Sequence, residues 1–280
     1  MNVYRILSAL LVSLLFWFCS EPEEQPCCSG IQEPVSETLT DADRVGLIWN
    51  DEFDGTSLNG DKWSYDLGDG SLQGLPGWGN GEKQSYTDRS ENLKIDDGFL
   101  KITARKEVYS GSEYTSARIN TRGKFSFQYG KMVIRARLPL GTGTWPAVWM
   151  LGNSFPTAGW PYCGEIDVIE QRGLNKNVLI GATHWFDQGT NARADFLREY
   201  TSADIGADFR KYTLEWTPES IIMKVDGVQY FRMNINDTMP FGDPFFLIVN
   251  IAMGGTLGGN IGPYFTSDEM WIDYIRVYEN

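Results

Sequence analysis

From Gly46 to the end, the chain is written in short runs with period-two alternation, broken by Gly, Asn and Asp. Examples are Leu100–Arg105, Lys131–Leu138, Tyr212–Trp216, Ile221–Val225 and Trp271–Tyr278. Alternation of this kind puts one side of each run against a core and leaves the other outside. Asp97-Gly98, Asp226-Gly227 and Gly254-Gly255 are turn dipeptides, and Asp226-Gly227 lies between two such runs, as a hairpin requires. No capped amphipathic helix of three turns and no internal repeat is evident. Many closely spaced strands predict an all-β sandwich of two antiparallel sheets. A length of 280 residues suits one such domain with a short appendage. The net charge of −13 argues against a nucleic-acid partner. A single His and four Cys leave little to build a zinc cluster from.

The appendage is N-terminal. Residues 1–19 hold one basic residue, Arg5, then the apolar run Ile6–Phe18, which stops at Cys19. A 13-residue apolar run is too short for a membrane span and suits an export signal. Cys19 stands where a lipoprotein signal carries its acylated cysteine, and Ser20-Glu21-Pro22-Glu23-Glu24 resembles a surface-export tag. An exported, outer-membrane or cell-surface lipoprotein is expected, or otherwise a secreted protein. Membrane contact would come only through that anchor. Residues 20–43 carry seven acids and no base, and read as a flexible tether. The folded domain is therefore 44–280, expected as a monomer. It holds one cysteine, Cys163, and so no internal disulfide.

The chemistry lies in Gly164-Glu165-Ile166-Asp167-Val168-Ile169-Glu170. On a regular strand Glu165 and Asp167 share a face and Glu170 takes the other, where a lone Glu cannot be buried. A bulge at Val168 or Ile169 resets the parity and gathers all three acids on one face. The two Glu Cα atoms would then stand roughly 13 Å apart. Their carboxyl groups would close to about 5–6 Å, the spacing of a retaining glycosidase. Three acids so close would raise the pKa of at least one. The residues alone do not say which Glu attacks. Trp145 and Trp149 share a strand face on the preceding run, and aromatic faces stack on the apolar faces of pyranose rings. Trp271, on the last run, is expected in the core.

Glu165-x-Asp167-x-x-Glu170 resembles the signature of glycoside hydrolase family 16, in the form one residue longer than its alternative. Further segments resemble bacterial laminarinases in the same order: Gly77–Asn80 with Glu82 and Tyr86-Thr87, Tyr114–Ile119, Trp145–Gly152, Asn250–Gly255 and Asp273–Tyr278. The resemblance covers about Trp49 to Tyr278. It implies a β-jelly-roll with a substrate cleft on the concave face. It also implies endo-acting, retaining hydrolysis of β-1,3-glucan through a covalent glycosyl-enzyme, with no catalytic cofactor. It makes Glu165 the nucleophile, Glu170 the acid/base and Asp167 their helper. Arg118 and Asn80 would bind sugar hydroxyls and His184 would lie near the acids, while Trp160 and Trp78 are loop candidates for the cleft. A structural Ca²⁺ is implied at Glu52, the Gly98 carbonyl and Asp273, all oxygen donors. Gly81, Lys83, Ser85 and Cys163 depart from the laminarinase pattern. These changes are expected at the non-reducing side of the implied cleft, so mixed-linkage β-1,3-1,4-glucan, or a marine galactan such as agar or porphyran, stays open as substrate. A non-catalytic β-glucan lectin is the alternative of another class; such binders lose a catalytic Glu, and this chain keeps both.

Overall fold

A computed structural model describes residues 34–279. In chain order the first strands are β1 Leu47–Asp51, β2 Ser64–Tyr65, β3 Gln84–Tyr86, β4 Leu93–Asp96, β5 Phe99–Tyr109 and β6 Ser112–Ser116. Next come β7 Arg118–Asn120, β8 Gly130–Arg137, β9 Thr144–Gly152, β10 Glu165–Gln171, β11 Val178–Asp187 and β12 Ala192–Thr201. The last are β13 Arg210–Trp216, β14 Ser220–Val225, β15 Val228–Asn234, β16 Phe245–Met253 and β17 Ser267–Tyr278. Two single-turn helices, α1 Phe155–Ala158 and α2 Gly255–Gly258, lie in connections. The five runs singled out by alternation correspond to β5, β8, β13, β14 and β17, with Leu138 lying one residue past the end of β8.

The strands form the two sheets of a jelly-roll sandwich. One has ten strands, ordered β15-β14-β13-β8-β17-β5-β6-β3, with β1 on β17 and β4 on β5. The other has seven, ordered β12-β11-β10-β9-β16-β7-β2. All pairs are antiparallel except β3 with β6. Asp226 and Gly227 close the β14–β15 hairpin with φ of 48° and 81°. Such a two-residue turn needs positive φ at both positions and matches the twist of its strands. Asp97 and Gly98 do the same between β4 and β5.

The core lies between the sheets, and strand parity decides what enters it. On β9, Val148 and Met150 point inward; on β16, Leu247, Val249, Ile251 and Met253 do. The alternate positions, Trp145, Ala147, Trp149 and Leu151 with Phe246, Ile248, Asn250 and Ala252, are thereby turned onto the outer face of the seven-stranded sheet. Both faces of that sheet are thus specified, and the outer one carries the site.

Two expectations need correction. The segment read as a tether does not end at residue 43. Ser36 Oγ donates to Asp273, the Glu37 N–H donates to the same carboxylate at 3.0 Å, and Glu37 pairs with Lys211 at 2.8 Å. Asp43 lies 3.6 Å from Arg276. Buried acceptors and cations on the ten-stranded sheet hold this stretch to the domain, which therefore begins near Ser36. Trp271 is not core: its parity puts it on the outer face of that sheet, with Lys101 and Arg137 over its ring at 4.0 and 4.2 Å. Residues 1–19, with Cys19, lie outside the described residues. Among those described, no helix is long and apolar enough to cross a membrane, and Cys163 is a buried free thiol.

Candidate active site

Glu165 opens β10, preceded by Gly164 at φ +77°, a backbone that any other residue would strain. A Cβ there would also press on Phe245 and Pro240. Along the strand the register slips by one. Glu165, Ile166 and Asp167 face Leu151, Met150 and Trp149, whereas Ile169 and Glu170 face Val148 and Ala147. The slip repeats toward β11, where Asp167 faces Ala182 and Glu170 faces Ile180. Val168 is the extra residue. Ile166, Val168 and Ile169 all enter the core, and the three acids share the outer face.

A bulge leaves a carbonyl without its ladder partner, and an unpaired buried carbonyl is costly. Here Tyr230, on β15 of the opposite sheet, reaches across the core and donates its hydroxyl to the Val168 carbonyl. Gly181 on β11 lies beside the bulge and makes this reach feasible: a Cβ there would stand 2.8 Å from the Tyr230 ring and 2.8 Å from Met223 Sδ.

Burial raises the pKa of all three carboxyls, and mutual repulsion adds to the effect at Glu165 and Asp167. They differ in what offsets it. Glu165 feels Arg118, Trp160 and Arg193, each of which favours its anion. Glu170 accepts from Trp145 Nε1 at 2.9 Å. Asp167 has no cation or N–H in support, and its Oδ2 is buried without a hydrogen bond. His184 Nε2 lies 3.6 Å from Asp167 and 3.9 Å from Glu165. Burial and Arg193 lower the His184 pKa, which disfavours the charged ring.

The groove over these acids is lined from both sides. Trp145 is only 8% exposed and its indole N–H is spent on Glu170; it is a wall that holds the acid rather than the open platform its spacing suggested. Trp149 is more open. Arg118 is clamped between the Trp78 and Trp149 rings, at 4.4 and 4.9 Å, and pairs with Asp66 at 3.0 Å. Asn80 is exposed at the end of the Trp78 loop, hydrogen-bonded to Glu82. Beyond the acids on the other side, Trp160 stands 6.4 Å from His184.

Sequence reasoning overlooked the network beneath this surface. Trp149 Nε1 donates to Asn250 Oδ1 at 2.8 Å, Asn250 Nδ2 donates to Tyr86 OH, and Tyr86 OH donates to Glu82. Gln84 donates to Glu82 at 2.6 Å and accepts the Met253 N–H. Asn250, Tyr86 and Glu82 lay in matching segments, which was their only signal. Tyr230 and Arg193 gave none, because each acts from a strand remote in sequence.

The residues named for calcium do not fit it. Both oxygens of Glu52 are taken by Arg276, at 3.0 and 2.7 Å. Asp273, 1% exposed, is filled by Arg135, Ser36 and the Glu37 N–H. Gly98 packs against Ser36. A cation would have to displace two arginines. Among the described residues, Glu165, Asp167 and His184 are the set whose ligand atoms all lie within 4.8 Å of one another. That set sits in the field of Arg118 and Arg193, which opposes a second cation.

A sandwich whose outer sheet face carries paired glutamates within an aromatic groove defines a glycoside hydrolase. The chain belongs to glycosyl hydrolases family 16, whose model matches residues 80–276. It is 44% identical over 252 residues to a "Beta-glucanase" of Rhodothermus marinus, covering 83% of this chain and 84% of that one. The laminarinase catalytic domain of Thermotoga maritima superposes with a TM-score of 0.77 at 39% identity, covering 84% of this chain and 98% of that one. A LamA variant of Zobellia galactanivorans, in complex with laminaritriose and laminaritetraose, superposes with a TM-score of 0.77 at 38% identity, covering 83% and 98%.

Tyr230→Phe keeps the ring and removes the donor. Stranding the Val168 carbonyl should cost about 1–3 kcal/mol, read by chemical denaturation, and turnover should fall because the bulge no longer fixes Glu170. Unchanged stability and turnover would contradict this role. The raised carboxyls also set a pH dependence. The folded chain holds more protons than the unfolded one between the ordinary carboxylate range and the raised folded values, so these groups remove stability as pH rises through that window. Asp167→Asn should therefore melt higher than the parent at pH 8 by several degrees, with the gap closing toward pH 4. A gap independent of pH would refute the assignment.

Proposed function

We propose that this chain hydrolyses internal linkages of β-1,3-glucan with retention, through a covalent glycosyl-enzyme. The observation that carries the reading is the bulge at Val168, which brings Glu165, Asp167 and Glu170 onto one groove-lining face. Sugar-binding groups lie on both sides of the acids: Trp149, Arg118 and Trp78 toward β7 and β2, His184 and Trp160 toward β11. Units on both sides of the scissile bond suit an internal cut.

Glu165 is the nucleophile by its place in the family signature; Arg118, Arg193 and Trp160 offset part of the burial that opposes its anion. Three buried carboxyls cannot all be charged, and Asp167, which lacks any offset, keeps its proton. Glu170 enters protonated, its pKa raised by burial, and Trp145 holds it in place. A Glu165 oxygen attacks the anomeric carbon as Glu170 gives its proton to the glycosidic oxygen, and the C–O bond breaks. Glu170, now a carboxylate, takes a proton from water, whose oxygen attacks the same carbon and releases Glu165. Two displacements restore the original configuration. Neither step calls on a metal or cofactor. A lectin would have no use for two aligned glutamates whose burial costs stability.

Reducing-end release from laminarin, compared with lichenan and agarose, tests the substrate. Glu165→Gln should lose several orders of magnitude in rate while still binding laminarin. Glu170→Ala should be partly rescued by azide and yield the β-glycosyl azide; an α product would mean inversion and sink the mechanism. A variant at Glu165 with a quarter of the parent rate would reject it as nucleophile.

We further read residues 1–19 as an export leader acylated at Cys19, which would take the enzyme to a polymer outside the cell. The parent should then partition into a detergent phase and Cys19→Ala should not. Equal partitioning would leave free secretion.

A further inference from the structure

The groove does not stop at Trp160 and His184. Two residues further along β11, about 7 Å away and on the same face, stands Phe186. Tyr162 stacks on it with ring centroids 4.4 Å apart and planes at 27°. The pair is well placed rather than loose: the Phe186 N–H donates to the Pro161 carbonyl at 3.1 Å, tying the Trp160–Tyr162 loop to β11. Tyr162 is 53% exposed and Trp160 41%, whereas the large apolar side chains of neighbouring β9 and β16 are mostly buried. Aromatic surface left open beside a polar groove marks a binding site more often than chance exposure does.

The edge strand β12 supplies polar groups at the same level. Arg193 pairs in register with Phe186, and Asp195 with His184. The Arg193 guanidinium lies 4.4 Å from the Trp160 ring. Both are exposed. An open aromatic face flanked by a hydrogen-bond donor and an acceptor matches a pyranose, which is apolar on its ring face and hydroxylated at its rim.

We propose that Tyr162 and Phe186 form a second sugar platform, which stacks a glucosyl ring beyond the units held at the acids, with Arg193 and Asp195 reaching its hydroxyls. The proposal rests on the β-1,3-glucanase reading. The glucosyl ring has two sources, a further main-chain unit or a branch glucose, and both offer the same face.

The test is steady-state kinetics of the full chain with Tyr162→Ala and Phe186→Leu on laminaritriose, linear laminarihexaose and branched laminarin. Hydrolysis of the triose should stay within about twofold of the parent. On the longer substrates KM should rise about three- to tenfold with kcat held, as expected for loss of one stacking contact. A rise on hexaose assigns the main chain, and a rise on branched laminarin alone assigns the branch. Tyr162→Phe, which keeps the ring, should restore the parent KM. Parent values on both long substrates would overturn the proposal, as would an equal loss on the triose. Should Phe186→Leu fail to fold, Tyr162→Ala decides alone, since that side chain is more than half exposed. A parent inactive on every laminarin substrate would instead refute the glucanase reading, before any variant is compared.

Discussion

The site depends on one irregularity, the extra residue at Val168. A regular strand cannot put Glu165, Asp167 and Glu170 on one side and three branched apolar residues on the other. The bulge can, at the cost of one carbonyl without a ladder partner. Tyr230 repays that cost from the opposite sheet, and Gly181 keeps the space through which it reaches. The core of the sandwich thereby acts directly on the position of Glu170, although Tyr230 is nowhere near a substrate.

The second organising fact is electrostatic. Three carboxyls lie close together where water is scarce, so each resists ionisation. Support is shared unequally: Arg118, Arg193 and Trp160 act on Glu165, Trp145 and Arg172 on Glu170, and none on Asp167. That inequality sets Asp167, held in its neutral form, apart from the two glutamates, each of which keeps partners that favour its anion. The same crowding makes the site a local weak point of the fold, as expected where function requires charge in a dry place. Some of the required rigidity comes from below, through the chain from Trp149 by Asn250 and Tyr86 to Glu82.

Much of this was legible in the residues. Period-two alternation identified five strands and the Asp226-Gly227 hairpin, because each is a local pattern. The parity argument on Glu165, Asp167 and Glu170 required a bulge, and the register shows it at Val168. What could not be read depends on contacts between distant strands. Trp145 and Trp149 share a face as their spacing says, but spacing does not reveal that one indole is committed to Glu170. Trp271 looked like core because apolar residues flank it, yet those neighbours take the inward positions. Residues 36–43 have a tether's composition, but acids that find arginines and a lysine on a sheet are held there. The same pairing overturned calcium: Glu52 and Asp273 are suitable ligands in isolation and already neutralised in place.

The bulge also has a bearing on how this sequence can change length. Insertions and deletions inside a strand usually turn every later side chain to the wrong face. Loss of Val168 would not. It would leave the three acids at alternate positions of a regular strand, all still facing the groove, with one core side chain fewer and Tyr230 without its acceptor. A loop is the usual refuge for length variation. Here a catalytic strand has one as well, at a single position, with its damage confined to a tyrosine and the glycine that makes room for it.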